Sequence, residues 1–86
     1  MVYCIVVDKI DGTNILSFEK EWQLKYFMMG LLINFLEKNS AKVLEVYKTI
    51  KEEKSLGKIA ESFNTFSSDN DGSIKILSIH QGEKIF

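Results

Sequence analysis

The chain has no proline and no arginine, and only one cysteine (Cys4) and one histidine (His80) among its 86 residues. A single cysteine cannot close an internal disulfide. That excludes a disulfide-stapled scaffold and points to a reducing compartment, the cytoplasm. One thiol and one imidazole also fall short of the four ligands of a structural zinc site, so neither a metal centre nor a cofactor is expected. The five glycines stand singly at positions 12, 30, 57, 72 and 82, which leaves no glycine-rich loop to cradle a phosphate. Long hydrophobic runs are missing too. The most apolar stretch, residues 26–33, is far short of the roughly 20 residues that span a bilayer, and no membrane insertion is expected. Residues 1–7 are apolar but lack a basic flank and are cut off by Asp8, unlike a signal peptide.

The missing arginine also bears on nucleic acid. Eleven lysines against twelve acidic residues leave a net charge of −1. Lysine offers point charges but no bidentate contact to guanine edges, so nucleic acid is not the expected partner. Residues 40–58 hold five lysines against three glutamates, and residues 59–86 two lysines against four acids. Such a mild gradient reads as solvated helix faces.

What remains is an ordinary globular composition, 45% hydrophobic and 27% charged, sized for a single domain over residues 1–86. Residues 2–7 are β-branched and aromatic on both pleat faces, as in a central strand covered on both sides. Asp11-Gly12 between apolar runs signals a hairpin, with residues 15–18 returning. A long helix follows, from about Ser17 or Phe18 to Glu37 and Lys38, with Ser17 a plausible cap and Asn39 a left-handed stop. Two helices come next. One carries an apolar stripe of Val43, Val46, Tyr47 and Ile50; the other begins near Ser55 and carries Leu56, Ile59, Ala60, Phe63 and Phe66. Residues 67–73 are small and polar and read as a loop. Residues 74–79 then return to strand chemistry, Gln81-Gly82 marks a turn, and residues 84–86 close a second hairpin. The expected fold is α+β, in the order β-β-α-α-α-β-β, with a small antiparallel sheet of two hairpins packed on a long central helix.

That first helix carries apolar residues on two opposite faces. Trp22, Tyr26, Met29, Ile33 and Leu36 make one stripe, and Leu24, Met28, Leu31 and Phe35 the other. A narrow flank between them holds Gly30 and Asn34, a small polar notch where another backbone could come close. A helix apolar on two sides must be covered twice. Either the later helices bury the second face, or a partner does. Trp22, Tyr26, Met29, Gly30, Ile33 and Asn34 are therefore the interaction candidates.

Three resemblances accompany this reading. Residues 63–74, Phe-Asn-Thr-Phe-Ser-Ser-Asp-Asn-Asp-Gly-Ser-Ile, resemble the end of an EF-hand helix and its calcium loop. In that register Asp69 and Asp71 are the candidate ligands and Gly72 the sharp turn. Ser67 stands where the first aspartate belongs and Ser78 where the bidentate glutamate belongs, so the run also reads as a plain surface turn. Residues 55–63, with the Ile59-Ala60 pair, resemble the first helix of a helix-turn-helix. Residues 41–86 would then form a DNA-binding regulator with a hairpin wing, although acidic, helix-breaking residues 69–72 follow where a recognition helix is needed. Finally, a strand, a turn with glycine, a second strand and an apolar helix over residues 2–38 resemble the opening of longin and roadblock domains. Those small modules of trafficking and GTPase-regulating assemblies pair through a helix or a sheet edge.

For catalysis, Cys4 and His80 form the only possible thiol–imidazole pair. Cys4 lies within an apolar strand, where an inert buried thiol is the common case, and no nucleophile elbow accompanies it. No catalytic residue is assigned. The expectation is a non-catalytic regulatory or adaptor protein that acts through protein contacts and associates with itself.

Overall fold

The computed structural model describes residues 2–35, 37, 39–70 and 72–82. Its elements run β1 (Val2–Lys9), β2 (Gly12–Phe18), α1 (Glu21–Leu32), a 3-10 turn at Ile33–Phe35, α2 (Ser40–Glu52), α3 (Leu56–Asn70) and β3 (Ile74–Gly82). The α+β class is as expected, but the described sheet has three strands, in the order β2-β1-β3. β1 is indeed the central strand, antiparallel to both neighbours.

The first hairpin turns on Ile10 and Asp11, with Lys9 opposite Gly12. Gly12 itself opens β2 at φ 131°, a conformation that a side chain would strain. Gln81 and Gly82, read above as a turn, continue β3 opposite Tyr3 and Val2. The second hairpin expected at residues 84–86 lies outside the described residues.

α1 is also shorter than the sequence suggested. Ser17 remains in β2, paired with Cys4. The helix starts only at Glu21, where the Gln23 side chain accepts from the Lys20 N–H at 3.1 Å and satisfies an otherwise orphan donor. After twelve residues it tightens into the 3-10 turn. Asn39 is not a left-handed stop but the N-cap of α2, its side chain accepting from the Lys42 N–H at 3.2 Å. Ser55 starts α3 in the same way, through the Lys58 N–H.

The polar run at residues 67–70 is helical rather than looped, with Ser67 bonded to β3 and Asn70 to its own helix. The buried Ser67 hydroxyl donates to the Ile74 carbonyl, and the Asn70 amide donates to the Phe66 carbonyl at 2.8 Å. Gly72, at φ 69°, then ends the turn, its N–H donating to the Ser67 carbonyl at 2.7 Å. Asn64 ties this helix to the sheet. Its amide donates to the Ile76 carbonyl at 2.8 Å and its carbonyl accepts the Ile76 N–H at 2.7 Å. Beside that anchor β3 bulges, since Val7 faces Ile76 but Val6 faces Ser78, leaving Leu77 as the extra residue.

The buried side chains form one cluster between the helices and one face of the sheet. Ile5, Val7, Ile74 and Ile76 come from the strands; Leu24, Met28 and Leu31 from α1; Val46 and Ile50 from α2; Ile59 and Phe63 from α3. Phe35 meets Phe63 and Phe66 edge-on, with ring centroids 6.3 and 5.1 Å away. The other face of the sheet carries Val6, its exposed register partner Ile15 and the buried Cys4.

Candidate protein-contact surface

The structure decides which stripe of α1 is core. Leu24, Met28, Leu31 and Phe35 are buried, whereas Trp22, Tyr26 and Ile33 are 58%, 64% and 65% exposed. The expectation of a helix covered on both faces is thus not met by the described elements. α2 crosses beside the open stripe and leaves Leu44 66% and Tyr47 42% exposed. Tyr47, placed in the buried stripe of α2 above, lies at its rim. Between the two helices runs a groove of about 440 Å³, lined by Tyr26, Met29, Gly30 and Ile33 of the first segment and by Val43, Leu44 and Tyr47 of α2, with Leu32 at its floor.

Four of the six sequence candidates therefore line one groove. Trp22 stands outside it, packed edge-on against Tyr26 with ring centroids 5.6 Å apart. Asn34 is also outside the lining, its amide turned back to donate to the Leu31 carbonyl at 3.0 Å. Gly30 is exposed, and a methyl group placed there would meet no atom within 4 Å. The open space above it is where another element can approach. The contribution of Leu44 was missed in the sequence. Its signal was the spacing of two large apolar residues, Leu44 and Tyr47, at i and i+3 on a helix whose core stripe is Val43, Val46 and Ile50.

Lys25 ties α1 to the C-terminal end of α2. Its ammonium reaches from α1 to the carbonyls of Lys51 and Glu53 at 3.4 and 3.1 Å, where a cation offsets the negative end of α2. Glu21 stands 3.9 Å from the same ammonium. Beyond α2, Glu53 accepts from the N–H groups of Ser55 and Lys54, both at 3.1 Å. The Ser55 bond, helped by the positive charge of Lys58, holds its carboxyl below the ordinary glutamate value.

The remaining candidates fare differently. Cys4 and His80 do meet, as register partners across β1 and β3, and Ser17 faces Cys4 from the other side. The Cys4 thiol is buried, with its Sγ 3.8 Å from the Ser17 hydroxyl. Asp69 sits in the last turn of α3, not in a loop, and Asp71 lies outside the described residues. A calcium loop needs ligand oxygens converging from non-helical backbone. Here residues 67–70 are helical, and a strand follows instead of a second helix. Among the described residues no group of three or more His, Cys, Asp or Glu side chains converges as metal ligands do. The helix-turn-helix register fails in a similar way. α3 runs unbroken through Phe63 to Asn70, and β3 pairs with β1 instead of forming a separate wing.

No helix among the described residues is long and apolar enough to cross a membrane. Comparison with protein-family models, curated proteins and solved structures finds no match, so the likeness of residues 2–38 to longin and roadblock openings rests on element order alone.

Proposed function

We propose that this is a non-catalytic protein that works through protein contact, and that the face shared by α1 and α2 is where a second copy of the chain docks. The observation that carries the reading is the cluster of Trp22, Tyr26, Ile33, Leu44 and Tyr47, exposed around an apolar groove. Together these five side chains leave about 600 Å² open, taking roughly 150–250 Å² for a fully exposed aromatic residue. A standard interface takes about 800 Å² from each partner, so these residues alone come close to filling one.

Two properties favour a copy of the same chain. A two-fold contact must be self-complementary, with both the protrusion and the recess on one patch. The Trp22–Tyr26 pair supplies the first and the groove over Gly30 the second. A two-fold contact also sets charges near their own copies, and among the described residues no charged side chain lines this groove. Tyr26→Glu tests the reading by light scattering across a dilution series. The expected result is a lower mass than wild type with an unchanged far-UV spectrum, since Tyr26 contributes little to the core. A wild-type protein that stays monomeric at high concentration overturns it.

A further inference from the structure

A second surface, on the opposite layer of the molecule, has the geometry of a pairing edge. We propose that β2 pairs antiparallel with β2 of a second copy, about a two-fold axis at Ile15. β2 is an outer strand of the described sheet. Because Lys9 and Gly12 close a two-residue turn, they form a hydrogen-bonded pair, and such pairs alternate up the ladder at Val7–Asn14, Ile5–Leu16 and Tyr3–Phe18. The N–H and C=O groups of Thr13, Ile15 and Ser17 therefore point away from β1, into the open edge.

Outer strands are ordinarily protected by lysine, proline, a bulge or brevity. β2 has none of these. It is seven residues long with no charged residue and no proline, and the sheet's bulge lies between β1 and β3. The strand is instead self-complementary. With the axis at Ile15, that residue opposes its own copy, and Thr13 opposes Ser17 on either side. Each pairing exchanges two backbone hydrogen bonds. The side chains that meet are a β-branched pair flanked by two hydroxyl pairs, all favourable cross-strand combinations, with no like charges opposed. Asp11 and Glu19, which the same register would set opposite each other one step further out, sit in the turn and in the bend, outside the paired stretch. Ile15 is 59% exposed and faces away from the helices, so pairing covers an apolar side chain that the fold leaves open.

This edge is separate from the α1–α2 face, and its reading does not depend on that one. If both operate, the chain assembles beyond a dimer. Sedimentation velocity on wild type, Ile15→Lys and Tyr26→Glu separates them. Ile15→Lys sets two like charges opposite each other at the axis without touching the core. It is expected to lower the assembled mass by at least half and to leave the melting temperature of the fold within a few degrees. Equal masses for Ile15→Lys and wild type overturn the proposal. A mass unchanged by Tyr26→Glu but lowered by Ile15→Lys overturns the helix-face reading and leaves the strand pairing standing. Should Ile15→Lys fail to fold, Ile15→Cys decides. A hydrogen-bonded antiparallel pair brings its Cα atoms to about 5.5 Å, within disulfide reach, and the native Cys4 is buried. Mild oxidation should trap a reducible dimer, and a monomer after oxidation overturns the pairing.

Discussion

Replacing Asn64 by alanine probes the link between α3 and the sheet. The side chain makes two hydrogen bonds to one residue, donating to the Ile76 carbonyl at 2.8 Å and accepting the Ile76 N–H at 2.7 Å. Both backbone groups lie beside the bulge, partly buried, where the β1–β3 ladder slips by one residue. Alanine leaves a donor and an acceptor unpaired, at a cost of about 1–3 kcal/mol each when fully buried. Partial access to water lowers the sum to about 2–4 kcal/mol, a large share of the roughly 5–15 kcal/mol that holds such a domain folded. For a domain of this size that is a fall in melting temperature of roughly 10–25 °C. Thermal melts followed by far-UV circular dichroism measure it. Hydrogen exchange at the Ile76 amide should accelerate in parallel. Asn70→Ala is the control, since it removes one bond of similar length, to the Phe66 carbonyl in the last turn of α3, where water can replace it. The reasoning fails if the two variants melt within a few degrees of each other.

Glu53 gives a pH-dependent prediction. Its carboxyl is held below the ordinary glutamate value, first by the Ser55 N–H bond. A depressed folded-state pKa stabilises the fold above the unfolded value, and that stability is lost as pH falls through the folded value. Glu53→Gln should therefore cost most at neutral pH and progressively less below about 4.5; a cost that is the same at neutral and acid pH refutes the assignment. Gly72→Ala isolates a backbone effect, because an added methyl group there meets no atom within 4 Å. The left-handed φ of 69° should cost roughly 1–2 kcal/mol with alanine there, read as a shift of the urea midpoint. A variant as stable as wild type contradicts it.

Much of this was legible in the sequence where local pattern and tertiary demand agree. Residues 2–7 read as a central strand because they are apolar on both faces, and β1 is paired on both sides. The core stripes of α2 and α3 followed from spacing, except that Tyr47, counted in the first, lies exposed at its rim. Where the sequence misled, a side chain had a partner that no local pattern reveals. Ser67 and Asn70 look like loop residues, yet the one bonds Ile74 and the other bonds its own helix, so α3 runs on. Gln81-Gly82 looks like a turn, yet β1 offers it a ladder. The two stripes of α1 were visible from the periodicity, but which of them faces the sheet is a property of the whole fold. Asn64 gave no sign at all, because its partner is twelve residues away in another element.

The central position of β1 also bears on how the chain reaches this state. β1 is made first among the described strands, and its neighbour on one side is β3, made last. The β1–β2 hairpin can form locally as soon as both strands exist, but Val7 meets Ile76 only after three helices have been synthesised. Closing so long a loop costs entropy before any contact repays it, and such non-local pairing is slow. Through most of synthesis, then, an apolar strand stands with one side unpaired. The outer strands of the nascent hairpin are β1 and β2, whereas those of the described sheet are β2 and β3. Crowded copies on neighbouring ribosomes would meet first through that transient edge on β1, and the arrival of β3 is the event that removes it.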